Sequence, residues 1–130
     1  MNASESNFRA WLAKASNDLL NVENNLQADR VPWDTVCFHA QQAVEKTLKA
    51  FLVYHGRTPK KTHDLVALLA ESVDIDASLV GLQSDCRRLT VFAVGSRYPD
   101  DLFVPEEADG KDMARTAKEI CAEVMKRLPQ

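Results

Sequence analysis

The chain has 130 residues, of which 45% are hydrophobic and 27% are charged, and its formal net charge is −3. This length fits a single domain, residues 1–130, that buries roughly two thirds of its unfolded surface without help from a disulfide or a metal. The slightly acidic balance argues against an overall basic nucleic-acid-binding protein. Neither an apolar run of about 18 residues nor a signal-peptide pattern occurs, so we expect neither a membrane span nor a secreted protein.

Apolar residues recur at spacings of three and four along nearly the whole chain, and no segment shows the alternation of a β-strand. This pattern predicts an all-α fold, an up-and-down bundle of about five helices with short connections. The expected helices run from Asn2 or Ser4 to Asp29, from Trp33 to His55, from a cap at Thr62 past Val73, from a cap at Asp76 to Arg97, and from Gly110 to Leu128.

The second predicted helix has an unusually wide apolar face, an arc of roughly 200° that begins at Val36. Such a width indicates a helix at the centre of the bundle, with several neighbours. Gly56 follows it as a left-handed terminator. Phe38 and Val53 interrupt the remaining polar sector, which suggests that another subunit covers part of it.

The three cysteines are Cys37, Cys86 and Cys121, and no two of them form a CxxC pair. Each falls on a predicted apolar face. We interpret them as small buried hydrophobic residues of a protein in a reducing compartment, the cytoplasm. A catalytic thiol is not expected, because no motif places a histidine near any of them.

Charge is unevenly distributed along the chain. The charged residues from Lys46 to His63 are all basic, and those from Asp100 to Asp109 are all acidic. Two interpretations remain open: a pair of solvated loops that balance each other, or a local anion site near the basic loop.

The segment Thr62-His63-Asp64 also has two interpretations. It is either a capping turn, or a site in which His63 faces a phosphate or acts as a base at a helix start. Arg57 and His63 form an R-x5-H spacing. Those residue types suit ribonuclease chemistry, because a histidine can activate a 2′-hydroxyl and an arginine can hold a phosphate by two hydrogen bonds.

Two further groups of polar residues lie on predicted helices. Arg97 is in line with the apolar stripe of the fourth helix, so it needs a partner, and Glu45 or Asp100 is the candidate for such a structural anchor. A polar strip lies on one side of the second helix and consists of His39, Gln42, Lys46 and Lys49. It either faces solvent or another subunit, or forms a groove for a nucleotide or RNA. No motif for a metal or for a glycine-rich phosphate loop occurs, so neither a metal nor a cofactor is expected.

The segments FHAQQAVEKTLKAFLVYHG, THDLVALL and RYPD resemble the HEPN family, and with the helix count this resemblance covers nearly the whole chain. It implies a four- to five-helix bundle that forms homodimers. Bacterial members are commonly encoded beside minimal nucleotidyltransferases and act in toxin–antitoxin or defence systems. Many members are metal-independent ribonucleases with an R-x4-6-H motif near the final helices.

The chain departs from that catalytic motif, because no histidine follows Arg97. Three hypotheses therefore stand. The first is a dimeric binding module that docks a nucleotidyltransferase and binds a nucleotide or RNA phosphate. The second is an endoribonuclease that uses Arg57 with His63, or Arg97 with a histidine of another subunit. The third is a helical adaptor without a ligand. The expected phosphate-binding residues are Lys46, Lys49, Lys60, Lys61 and His39, beside Arg57 and His63.

Overall fold

The computed structural model of the chain describes residues 7–95 and 104–130. These residues form five α-helices and one short 3-10 helix, and no strand occurs among them. The all-α bundle predicted from the hydrophobic spacing is confirmed. The helices are α1 (Phe8–Leu26), α2 (Trp33–Tyr54), α3 (Leu65–Ile75), the 3-10 helix (Ala77–Leu82), α4 (Gln83–Gly95) and α5 (Glu107–Met125).

Helix α2 is the centre of the bundle, as its wide apolar arc predicts. It packs against each of the other four α-helices. Among its fully buried side chains are Leu48, Phe51 and Leu52. Burying a side chain of this size contributes about 1.5–3 kcal/mol relative to leaving it in water, so the core depends most on this helix.

Helices α1 and α2 lie antiparallel, joined by a short connection. The ring of Phe8, at the start of α1, lies 5.0 Å from the ring of Tyr54, at the end of α2. Farther along α1, Asp18 contacts Lys46, which lies nearer the start of α2 than Tyr54 does. This arrangement places the polar sector of α2 against α1.

The carboxyl end of α2 is a Schellman motif. Gly56 has a φ of +76°, and the Arg57 N–H donates to the Leu52 carbonyl at 2.9 Å. The expectation that Gly56 ends this helix in the left-handed conformation is confirmed, because that conformation carries little penalty only for glycine.

The connection from α2 to α3, residues 55–64, runs back along α2. Near its end, the Gln41 side chain donates from Nε2 to the His63 carbonyl oxygen at 2.7 Å. This bond holds the loop against the middle of α2. It explains how residues that follow the end of α2 come to lie beside Gln41 and Glu45.

The cap of α3 differs from the expected one. Asp64 is the N-cap, and its Oδ1 accepts from the Val66 N–H at 3.0 Å. Thr62 instead accepts from the Asp64 N–H through its Oγ1 at 3.1 Å. Both residues are good caps, and the one directly before Leu65 takes the position because Leu65 must enter the core at the first turn.

Other boundaries also differ from the sequence-based ones. α1 begins at Phe8 with Asn7 as its cap, and the expected start at Asn2 or Ser4 lies outside the described residues. Asp76 does act as a cap, but for the 3-10 helix, which precedes α4. α5 begins earlier than Gly110, because Glu106 and Asp109 form a reciprocal capping pair.

The three cysteines are free and buried, as expected. Arg97 and Asp100, the expected anchor at the end of the fourth helix, lie outside the described residues. In the parts of the chain that the structure describes, no helix has the length and hydrophobicity needed to cross a bilayer.

Candidate functional site

Two polar clusters occupy the polar sector of α2, each built around a buried carboxylate. The Glu45 cluster consists of Glu45, Gln41, Lys49 and His63. The Asp18 cluster consists of Asp18, His39 and Lys46. A third group, the basic loop, is the exposed part of the connection between α2 and α3 and comprises Arg57, Lys60, Lys61 and His63.

Glu45 is only 3% exposed, and both of its oxygens are bonded. Its Oε1 lies 2.8 Å from Nδ1 of His63, and its Oε2 accepts from Nζ of Lys49 at 3.1 Å. A carboxylate removed from water in this way is tolerated only with such partners. The buried Lys49 has a second contact, because its Nζ lies 5.5 Å from the ring centroid of Trp11 on α1.

His63 joins the buried cluster to the surface. Its side chain is 76% exposed although Nδ1 contacts a carboxylate that is almost fully buried. The opposite edge of the ring, with Nε2, therefore lies on the exposed side. A carboxylate at one nitrogen fixes the orientation and tautomer of an imidazole, which prepares the other nitrogen for a ligand or a proton.

The Asp18 cluster joins α1 to α2. Asp18 is 4% exposed, its Oδ1 lies 2.8 Å from Nδ1 of His39, and its Oδ2 lies 2.5 Å from Nζ of Lys46. His39, Lys46 and Lys49 each contact a carboxylate that is almost fully buried, so the expectation of a freely solvated strip on α2 does not describe them. Each of these three side chains therefore has a carboxylate partner within the chain.

Two cations of the basic loop lie farther from their carboxylate partners than the lysines of α2 do. Nη1 of Arg57 lies 4.0 Å from Asp74, and Nζ of Lys60 lies 3.6 Å from Glu71. The side chains of Arg57 and Lys60 are 45% and 67% exposed. Exposed pairs of this kind contribute about 0–1 kcal/mol, so a ligand can displace them at little cost. Lys61 is also exposed.

The structure separates some of the residues that the sequence groups together. Arg57 and His63 share a loop but face different carboxylates, Asp74 on α3 and Glu45 on α2. The sequence suggests Arg97 as a partner of Glu45, and among the described residues the Glu45 oxygens contact His63 and Lys49. Arg97 and Asp100 cannot be placed in this site, since they lie outside the described residues.

Two features of the clusters were not predicted from the sequence: the presence of Asp18, and the bond by which Gln41 holds the loop. Asp18 had a detectable signal: it lies three residues after Ala15 and four before Val22, inside the apolar stripe of α1. A carboxylate within such a stripe requires a buried partner. Gln41 had no comparable signal, because its bond to the His63 carbonyl depends on the path of the loop.

No group of three or more potential ligands from His, Cys, Asp and Glu that could hold a metal ion occurs in residues 7–95 and 104–130. The basic loop instead offers an oriented imidazole, a guanidinium and two ammonium groups, which face separate carboxylates or solvent. Their chemistry is that of anion binding and proton transfer.

Comparison with known proteins agrees with this architecture. The chain is similar to the protein in the crystal structure of TT1696 from Thermus thermophilus, with 26% sequence identity and a TM-score of 0.78. The similarity covers 93% of this chain and 98% of that one. No curated protein sequence matches the chain. The model of the HEPN domain family matches residues 8–128, which is nearly the entire chain, and the protein therefore belongs to the HEPN family.

Proposed function

We propose that this protein is a dimeric HEPN binding module whose basic loop binds the phosphate of a nucleotide or of RNA. The observation that carries this proposal is the placement of His63. Nδ1 of its imidazole contacts the buried Glu45, and most of the side chain is exposed to solvent. Arg57, Lys60 and Lys61 lie in the same loop. Exposed cations attract a phosphate, and an imidazole held by Glu45 at Nδ1 can donate to it from Nε2 when the ring is protonated.

The loop suits this role better than the lysines of α2. Lys46 and Lys49 already bond to the buried Asp18 and Glu45, so a phosphate would have to compete with a carboxylate inside the bundle. In the loop, the pairs with Asp74 and Glu71 are long, and the cations Arg57 and Lys60 are exposed. In this proposal Lys49 acts indirectly, by holding the carboxylate that orients His63.

The test is the salt dependence of nucleotide binding. Titration calorimetry with ATP should give a Kd that weakens as salt rises. The double variant K60Q/K61Q should weaken binding at low salt and reduce the slope of log K against log salt by about two at most. The matched control is K111Q/K118Q, which removes the same charge from exposed positions of α5. Equal losses in the two double variants would show a general charge effect and no loop site.

The dimer and the protein partner belong to the same proposal. Phe38 and Val53 are partly exposed on α2, and the family resemblance implies self-association and a nucleotidyltransferase partner of a toxin–antitoxin or defence system. Light scattering at tens of micromolar should give twice the mass of the 14.5 kDa chain. A monomer at that concentration would contradict the dimer. Co-expression with a nucleotidyltransferase encoded beside it should yield a complex.

One observation favours a second candidate, a metal-independent endoribonuclease. The His63–Glu45 pair is the arrangement in which a carboxylate orients a general base, and Arg57 in the same loop could hold the phosphate. RNA cleavage in the presence of a chelator, lost in H63A with an unchanged thermal midpoint, would support this candidate. Nucleotide binding without cleavage supports the binding module. A route through Arg97 depends on residues outside the described part.

A further inference from the structure

An aromatic cluster lies where α2 ends and the basic loop begins. It consists of Phe8, Phe51, Tyr54 and His55. The rings of Phe8 and Tyr54 are 5.0 Å apart, those of Tyr54 and His55 are 5.1 Å apart, and those of Phe51 and His55 are 4.6 Å apart. Phe51 is buried and anchors the cluster in the core, so the outer rings stand on a rigid base.

The outer part of this cluster is open to solvent. Tyr54 is 43% exposed, and it is the only aromatic residue among the exposed large hydrophobic side chains of residues 7–93 and 104–130. His55 is exposed as well. The other exposed large hydrophobic side chains in those ranges are aliphatic: Leu20, Val80, Val91 and Val104.

Two arginines lie near this cluster. The guanidinium of Arg9 lies 5.0 Å from the centroid of the Phe8 ring. Arg57 follows Tyr54 by three residues, and the Schellman bond from its N–H to the Leu52 carbonyl fixes its backbone at the end of α2. Exposed rings flanked by arginines form the surface on which proteins stack the bases of single-stranded nucleic acids.

Helix polarity determines where the two parts of such a ligand can lie. The carboxyl end of α2 carries partial negative charge, which disfavours a phosphate directly on Tyr54 and His55. A nucleobase is uncharged and can stack there. The phosphate is then best placed over Arg57 and the lysines farther along the loop, beyond the helix end.

We propose that Tyr54, with His55 at its edge, forms a nucleobase-stacking platform. The base lies on the Tyr54 ring, to which the His55 ring stands at 82°, and its phosphate binds the basic loop. This inference rests on the proposed function, since it identifies the ligand of the loop as a phosphate that carries a base. A free nucleotide and a single-stranded RNA share this chemistry. The proposal distinguishes both from inorganic polyphosphate and from double-stranded nucleic acid, whose bases are already stacked.

The test compares ATP with tripolyphosphate, which has the phosphates but no base. ATP should bind the wild type about tenfold more tightly at the same salt concentration. The variant Y54L, which keeps an apolar contact for Phe8 but has no ring face, should bind ATP no better than tripolyphosphate and should leave tripolyphosphate binding unchanged. The matched control is Y54F, which keeps the ring and should bind both probes as the wild type does. Thermal midpoints establish that each variant is folded.

A second comparison distinguishes the two sources of the base. A ten-nucleotide oligoadenylate RNA should lose affinity in Y54L if single strands are bound, and a duplex of the same length should show no dependence on Tyr54. Loss with ATP alone would identify a free nucleotide as the ligand, and loss with the RNA alone would identify single-stranded RNA; both outcomes support the platform.

Three results separate the platform from the loop. Unchanged binding of both ATP and the oligoadenylate RNA in Y54L overturns the platform and leaves the loop site intact. Normal binding of both probes by K60Q/K61Q, together with a clear loss in Y54L, overturns the loop site instead. Absence of binding by ATP, tripolyphosphate and the oligoadenylate at low salt overturns both.

Discussion

Nδ1 of His63 lies 2.8 Å from Oε1 of Glu45, although the histidine side chain is 76% exposed and the carboxylate is 3% exposed as a residue. The two residues are 18 positions apart, on a loop and on the central helix. This contact joins the imidazole of the basic loop to a carboxylate in the interior. The position of the loop therefore depends on the buried ion pair between Glu45 and Lys49, because the same carboxylate holds His63.

The first prediction concerns the buried pair of Glu45 and Lys49. Glu45→Gln keeps the shape of the side chain but leaves Lys49, which is 8% exposed, without its counterion. Breaking a buried pair from one side lowers the free energy of unfolding by about 3–5 kcal/mol. Urea unfolding should show this as a lower midpoint. The control E119Q, at a side chain that is 63% exposed beside Arg115, should change stability by no more than about 0.5 kcal/mol.

A second substitution tests the cause of that loss. In the double variant E45Q/K49M the unpaired ammonium is gone and a methionine fills its place beside Trp11, so much of the stability should return. If E45Q alone is as stable as the wild type, Lys49 does not depend on Glu45 and the contact with His63 cannot be a buried anchor.

The next prediction concerns the packing of α2 against α5. A Cβ atom added to Gly110 would lie 2.3 Å from Cε3 of Trp33, so the indole or the helix must move. Gly110→Ala should therefore destabilise the protein by about 1–3 kcal/mol. Gly81→Ala is the matched control, because nothing lies within 4 Å of its added Cβ. That control should be neutral or raise stability by up to about 1 kcal/mol.

Fluorescence gives this prediction an independent readout. Trp33 is the tryptophan in contact with Gly110, and its emission should shift in G110A but stay unchanged in G81A. The comparison is best made in a W11F background, which leaves one indole. An unchanged unfolding midpoint and emission spectrum in G110A would contradict the close packing of Trp33 against Gly110, which leaves only 2.3 Å between Cε3 and an added Cβ.

The three thiols supply a prediction about pH. Burial raises the pKa of Cys37 and Cys121 to about 11 and that of Cys86 to about 12, from an ordinary value of 9.0. A raised pKa means that the folded state holds the proton more tightly than the unfolded state. The resulting stability is fully present below pH 9 and is lost as pH rises towards 11–12, because the unfolded thiols ionise first.

Thiol reactivity measures the same property near neutral pH. A disulfide reagent that reacts with thiolates should label none of the three cysteines in the folded protein at about pH 8, and all three after unfolding in guanidinium. Rapid labelling of one thiol in the native protein would contradict its burial. The triple serine variant should remain unlabelled under both conditions, which controls for reaction at other side chains.

The sequence predicts the elements of this fold better than the partners within it. The expected helix Trp33–His55 is observed as Trp33–Tyr54, because the apolar spacing and Gly56 are local signals. The choice of Asp64 over Thr62 as a cap depends on the burial of Leu65, which is a tertiary effect.

Site residues are recognised in the sequence by type but not by pairing. A helical wheel places Lys46 and Lys49 in a polar sector, and it contains no information on what packs over that sector. The carboxylates that pair with them are Asp18, which lies on another helix, and Glu45, which is one turn away on the same helix. His63 reaches Glu45 because residues 55–64 run back along α2, and no local pattern predicts the path of a loop.

The last prediction separates the two locations that the chain offers for an anion site, the basic loop and the polar sector of α2. Nζ of Lys46 lies 2.5 Å from Oδ2 of Asp18, whose remaining side-chain partner is His39. Lys46→Gln should therefore lower the free energy of unfolding by about 1–3 kcal/mol, the usual loss when a buried polar group loses a partner. Its affinity for ATP should stay within about twofold of the wild type. The variant K60Q/K61Q should behave in the opposite way, with weaker ATP binding and unchanged stability.

A double-mutant cycle identifies the reason for any loss in K46Q. If the lysine stabilises the fold through Asp18, the combined variant D18N/K46Q should be less destabilised than the sum of D18N and K46Q. Urea midpoints give the stabilities, and calorimetry gives the ATP affinities of the same preparations. Weaker ATP binding in K46Q at unchanged stability would mean that the ligand displaces Asp18 from the lysine. The anion site would then extend from the loop onto α2, because Lys46 could contribute its charge to a phosphate only after leaving the carboxylate.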